Sequence, residues 1–160
     1  MAYTLKGYSH FPYFLLKQLI SDLSANGVTA VKCALLKDTY TPAQDTDEDY
    51  ADISAYEITD DPDLDPDGDY TAGGLDAALL AGGASVSIVG RVTTVDFDDP
   101  TLEDCTMGAY KLALYDDTPV ADADKKLIAF CDFGALKASN SGTYKVVINA
   151  AGLFTITVPA

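Results

Sequence analysis

The chain is 160 residues long and carries 10 Lys and Arg against 25 Asp and Glu, a formal net charge of −15. A surface that acidic repels phosphate, which argues against nucleic acid and against an anionic membrane as partner. Apolar residues make up 48% of the chain, enough to exclude disorder, and the length suits one ordinary domain.

Residues 1–27 read as an arm followed by a helix. The run Phe11-Pro12-Tyr13-Phe14-Leu15-Leu16 is cut by Lys17 and Gln18, so it does not make a secretory signal. Pro12 suits a first helical turn, and Phe14, Leu15, Leu16, Leu19, Ile20 and Leu23 recur at helical spacing. Gly27 is placed to end that helix in a left-handed cap. The arm before it is rich in Tyr and Phe; it either packs on the domain or reaches a neighbouring subunit.

Residues 28–160 read mostly as strands. Val28–Leu36 puts Val31, Cys33 and Leu35 on one face and Lys32 on the other. Thr46 opens a short helix with Asp49 as capping partner, and Ala55–Ile58 is a short strand. Ser85–Val89 and Arg91–Phe97 read as two strands hinged at Gly90. Met107–Tyr115 alternates, with Ala109, Lys111 and Ala113 opposite Leu112 and Leu114. Lys126–Phe133 follows as another strand. Thr143–Asn149 and Leu153–Val158 read as a hairpin turning at Gly152. The uncharged stretch Val146–Ala160 is too short to span a bilayer as a helix. About seven strands with one or two helices predict a mostly β fold, an antiparallel β-sandwich or jelly-roll-like domain.

Candidate chemistry is sparse. Cys33, Cys105 and Cys131 are odd in number and lack C-x-x-C spacing. Cys33 and Cys131 lie in apolar strand contexts and are expected as buried thiols, as suits synthesis in a cytoplasm. Asp45 to Asp69 holds twelve carboxylates, and Asp63-Leu64-Asp65-Pro66-Asp67-Gly68-Asp69 matches the opening of an EF-hand loop. The match then breaks: Gly74 stands where the bidentate Glu belongs, and Tyr70 stands where an aliphatic residue belongs. A solvated acidic loop is the plainer reading, with calcium in a non-EF loop as the alternative. His10 is the only histidine, so neither a zinc site nor a Ser-His-Asp triad can be assembled. The glycine pairs Gly73-Gly74 and Gly82-Gly83 match no phosphate-binding motif and read as turn and bulge glycines. Tyr3, Tyr8, Phe11, Tyr13, Phe14, Tyr40, Tyr50 and Tyr70 fall in the arm, its helix or loops, where aromatics either pack or anchor interfaces. No catalytic, cofactor-binding or metal-binding residues are assigned, and several missing motifs together point to a structural or interaction protein.

Four segments carry a resemblance: VKCALLKDTYTPAQDTDEDYADISAYEIT (Val31–Thr59), YTAGG (Tyr70–Gly74), AYKLALYDDTPVADADKKLIAFCDFG (Ala109–Gly134) and NAAGLFTITV (Asn149–Val158). In order and spacing they resemble small structural proteins of tailed-bacteriophage virions, of the head decoration or cement type. Asp60–Asp69 departs from that pattern as an acidic insertion where such proteins have a short Gly/Ser turn. The resemblance implies a non-enzymatic protein on the outer surface of the capsid, made in the bacterial host cytoplasm. Its partners would be the major capsid protein and copies of itself, as a homotrimer. Tyr3, Tyr8, Phe11 and Tyr13 of the arm are the candidate partner-binding residues, a clasp onto a neighbour. The alternatives are a tail, fibre or baseplate component touching host glycans, a calcium-dependent adhesion or carbohydrate-binding module, and a hydrolase using a carboxylate pair.

Overall fold

The computed structural model describes residues 6–9, 31–59, 61–77, 86–89, 92–95, 97, 99–148 and 154–157, with backbone alone for 86–89, 92–95 and 154–157. The strands are β1 (Lys6–Gly7), β2 (Val31–Leu36), β3 (Leu75–Asp76), β4 (Val86–Val89), β5 (Val92–Val95), β6 (Thr101–Asp116), β7 (Leu127–Lys145) and β8 (Phe154–Thr157). One α-helix, α1 (Tyr50–Ile53), runs into a 3-10 turn, Ser54–Tyr56, and a second 3-10 turn spans Asp122–Asp124. The strands form a five-stranded sheet in the order β1-β7-β6-β2-β3 and a three-stranded sheet in the order β4-β5-β8. Every pairing is antiparallel. The chain is mostly β, as its pattern predicts. Facing of the two sheets as a sandwich or jelly roll depends on side chains of β4, β5 and β8, which lie outside the described residues. The predicted helix after Pro12 and the boundary at residue 27 lie outside them too.

Both faces of the large sheet are covered. Val31, Cys33 and Leu35 of β2 join Leu112, Leu114 and Ile128 in one apolar cluster. On the opposite face Ala34 and Leu36 join Tyr8, Tyr115, Leu127 and Phe130 in a second. The alternation of β2 was legible, but its second face is also buried, because α1 and the chain before it pack there through Tyr40, Tyr50 and Ile53. Lys32 does lie opposite Cys33, paired to Asp76 at 3.1 Å.

The alternation of β6 breaks at one point. Strict alternation sets Ala109 against Leu112 and Leu114, yet all three share the first cluster. The register between β6 and β7 shifts between Ala109 and Lys111, where Ala109 faces Lys137 and Lys111 faces Asp132. The irregularity reverses the phase of the strand. Gly134, with φ +68°, sits inside the extra length on β7.

Three further expectations change. Thr143–Lys145 ends β7 and returns to pair with Thr101 and Leu102, while β8 pairs with β5. The C-terminal hairpin is therefore replaced by two non-local pairings; alternation shows a strand but not its partner. Ala55–Ile58 is a 3-10 turn followed by a single bridge from Glu57 to Leu36. The helix starts at Tyr50 with Asp49 as its N-cap, not at Thr46, because Asp47 is engaged by Tyr40 and by the Ala43 N–H. Asp49 accepts from the Ala51 N–H and Asp52 from the Asp49 N–H, a reciprocal capping box.

Leu112 is 1% exposed at the centre of the first cluster. Leu112→Ala is expected to cost about 3 kcal/mol, read as a lowered urea midpoint with an unchanged slope.

Candidate functional site

Of the four proposed partner-binding aromatics, only Tyr8 falls among the described residues. It lies inside its own chain, 2% exposed. Lys6 and Gly7 pair with Phe130 and Ala129 on the outer edge of β7, and the Tyr8 N–H reaches the Ile128 carbonyl at 3.3 Å. The Tyr8 ring packs on Phe130 with centroids 5.2 Å apart. Its hydroxyl lies 2.8 Å from that of Tyr40, which itself donates to Asp47 at 2.7 Å. Tyr40 spends its one proton on Asp47, so Tyr8 donates to Tyr40. Burial pushes both phenols well above their ordinary pKa. On the other side the loop before α1 closes over the segment. Ser9 donates from its N–H to the Gln44 carbonyl at 3.1 Å and from its hydroxyl to Asp45, and the Gln44 amide donates to the Gly7 carbonyl. Residues 6–9 therefore occupy a slot with β7 as one wall and residues 40–47 as the other. His10, Tyr3, Phe11, Tyr13 and Phe14 lie outside the described residues.

The other loop aromatics are interior. Tyr40, Tyr50 and Tyr70 are 3%, 6% and 3% exposed, so they pack and do not anchor an interface. Tyr50 stacks on Tyr115 at 4.6 Å, and the Lys125 ammonium lies 5.2 Å from the Tyr50 ring. Lys125 also bridges Asp117 at 2.9 Å and Asp122 at 3.1 Å, tying the β6–β7 turn to α1.

Sequence reasoning missed the buried carboxylate at the centre of this face. Glu57 is 4% exposed. It accepts from the Tyr50 hydroxyl, from the Tyr70 hydroxyl at 2.7 Å and from the Gly73 N–H at 3.1 Å. The Gly73 carbonyl accepts in turn from Tyr115 at 2.5 Å. Burial raises the Glu57 pKa, and the three donors oppose that rise in part. The legible signal was one acid between Tyr56 and Ile58 in an apolar run. With its bridge to Leu36, Glu57 fastens the Thr71–Gly74 turn to β2.

The acidic loop serves as backbone capping. Asp61 accepts from the Asp63 N–H at 3.1 Å and pairs with Lys37 at 3.4 Å. Asp65 accepts from the Tyr70 N–H at 3.2 Å, and Asp69 from the Thr106 N–H at 2.9 Å. The Leu64 carbonyl takes the Gly108 N–H at 2.7 Å. The insertion thus covers the stretch of β6 edge that β2 leaves open. Asp65 is buried, with one oxygen unpartnered, while Asp63 and Asp67 face solvent. No group of three or more His, Cys, Asp or Glu among the described residues is placed to hold a metal ion. Millimolar calcium is accordingly expected to move the melting temperature by less than about 1 °C relative to EDTA in a thermal scan; a rise of about 5 °C would reinstate a calcium loop.

The three cysteines are free and buried, as expected of Cys33 and Cys131. Burial pushes the Cys33 thiol up to about 12, far from a reactive thiolate. Cys33 and Cys131 lie on β2 and β7 with β6 between them, too far apart for a disulfide.

Among the described residues no helix is long and apolar enough to cross a membrane. Comparisons with protein-family models, with curated proteins and with solved structures find no match to this chain.

Proposed function

We propose that this is a non-enzymatic structural protein of a tailed-bacteriophage virion, a capsid decoration protein that bridges major coat subunits from outside the head. One observation supports the reading: three of the four segments that resemble such proteins build the large sheet and its buried polar centre, and the fourth supplies β8 of the small sheet. Val31–Thr59 supplies β2, α1 and Glu57; Tyr70–Gly74 supplies the turn that holds Glu57; Ala109–Gly134 supplies the paired inner halves of β6 and β7. The acidic insertion sits between two of these segments and covers an edge of β6.

The chemistry of the role is association. A standard interface buries roughly 1,600 Å² in total, and repetition over a shell multiplies modest affinities. A charge of −15 keeps free copies soluble and turns the protein away from packaged DNA. Added to expanded heads that lack it, the purified protein is expected to co-sediment and saturate at hundreds of copies per head. No co-sedimentation at tens of micromolar protein would overturn the reading.

A further inference from the structure

We infer that the tip of the β6–β7 turn, Pro119–Ala123, is the contact that seats in the coat subunit, an apolar knob entering a shallow apolar pocket edged with lysine or arginine side chains. The inference rests on the decoration reading above and deepens it: it assigns the docking surface and the chemistry of its partner.

The turn has a fixed shape. Its base is closed by the Asp116 N–H, which donates to the Lys126 carbonyl at 2.9 Å. On one side the Asp116 carboxylate accepts from the Thr118 N–H at 2.9 Å and from the Thr118 hydroxyl. On the other side the Asp124 N–H reaches the Ala121 carbonyl at 2.9 Å, and the Lys126 ammonium reaches the Ala123 carbonyl at 2.9 Å. Lys125 is held between Asp117, Asp122 and the ring of Tyr50. Pro119 adds a fixed φ. A loop held in this way loses little conformational freedom when a partner closes over it.

The apex adds nothing to that framework. Val120 is 97% exposed, the most exposed large apolar side chain among the described residues, and Ala121 and Ala123 beside it are exposed as well. The fold thus presets a small apolar tip that its own packing does not use. Charge selects what covers it. Residues 48–52 lie beside the turn, because α1 packs against Asp122–Asp124. Residues 48–52 and 117–126 together carry six carboxylates and two lysines. Both lysines are already engaged, Lys125 by Asp117 and Asp122, and Lys126 by Asp49. Asp52, Asp122 and Asp124 are exposed. An apolar tip with an acidic surround complements an apolar pocket with a basic rim. Nucleic acid and acidic protein surfaces repel it.

The test titrates expanded heads that lack the protein with the wild-type chain and three full-length variants, and reads bound protein by co-sedimentation. Val120→Ser is expected to bind about tenfold more weakly, and Val120→Asp at least about 30-fold more weakly. Val147→Asp is the matched control. Val147 is 73% exposed and follows β7 at the opposite end of β6 from the turn; the same change there is expected to leave binding within about twofold of wild type. All three variants are expected to keep the wild-type melting temperature within about 2 °C, because neither valine is buried. Raising salt from about 0.05 M to about 0.5 M is expected to weaken wild-type binding several-fold. Undiminished binding by Val120→Asp, or an equal loss in Val147→Asp, overturns the inference and leaves the decoration reading standing. Absence of binding by the wild-type chain overturns both.

Discussion

Gly74→Ala is expected to be the most damaging single methyl addition among the described residues. Gly74 has φ +82°, and a Cβ there would lie 2.4 Å from the Cys33 carbonyl oxygen and 2.9 Å from the Ala34 nitrogen. Those are backbone atoms of a central strand, which cannot rotate aside. The cost combines a left-handed conformation for a residue with a side chain and a displaced β2, about 4 kcal/mol or more. For a chain of this size that corresponds to a melting temperature lower by about 10 °C or more, or to loss of soluble protein. Gly68→Ala is the matched control. Gly68 has φ +68°, but nothing lies within 4 Å of its added Cβ, so only the conformational penalty of about 1–2 kcal/mol remains. Equal effects at the two positions would show that the approach of this turn to β2 is not what fixes Gly74.

The second large effect is at Glu57. Glu57→Ala strands two buried hydroxyls and the Gly73 N–H, and is expected to cost about 3–5 kcal/mol. Glu57→Gln removes the charge and keeps one accepting oxygen of the two. The folded-state pKa of Glu57 is raised above the ordinary 4.5, chiefly by burial. The folded state then binds the proton more tightly than the unfolded chain does. Its contribution to stability is fully present below the unfolded pKa and is lost as pH rises through the folded one. Acidifying from neutral pH toward the ordinary value is therefore expected to stabilise the protein through this group. Asp49 shifts in the same direction, so the difference between wild type and Glu57→Gln isolates Glu57. The melting temperature of wild type minus that of Glu57→Gln is expected to rise as pH falls from about 7 to about 4.5, and the variant is expected to be less stable by about 1–2 kcal/mol because its amide nitrogen cannot accept from a tyrosine hydroxyl. A difference that shrinks on acidification would mean that Glu57 is held as a strongly favoured carboxylate.

The central strands were legible because apolar residues recur at every second position in Val31–Leu36 and on either side of the Ala109–Lys111 irregularity. What alternation cannot carry is the identity of a strand's partner. Thr143–Lys145 and Phe154–Thr157 look like two arms of one hairpin, and the fold sends them to β6 and β5. Nor does it reveal a bulge, which reverses the faces without leaving a mark in residue type. The aromatic loop residues were equally opaque. Tyr8, Tyr40, Tyr50 and Tyr70 resemble interface anchors in the sequence because the loops around them are polar. Each is held by a partner that composition does not single out: Tyr8 by Tyr40, Tyr40 by Asp47, and Tyr50 and Tyr70 by Glu57. The acidic run raised an ion site as a possibility for the same reason: composition records the carboxylates, and only the fold shows that Asp61, Asp65 and Asp69 each cap a backbone N–H.

The most direct test of the decoration role is copy number. Under the proposed reading, particles of the encoding phage are purified, and this protein is quantified against the major coat protein by calibrated mass spectrometry. Near-stoichiometric abundance, on the order of hundreds per particle as a shell-wide lattice requires, is the expected result. A few dozen copies or fewer would move the protein to the tail or fibre, and absence from the particle would contradict a virion role altogether.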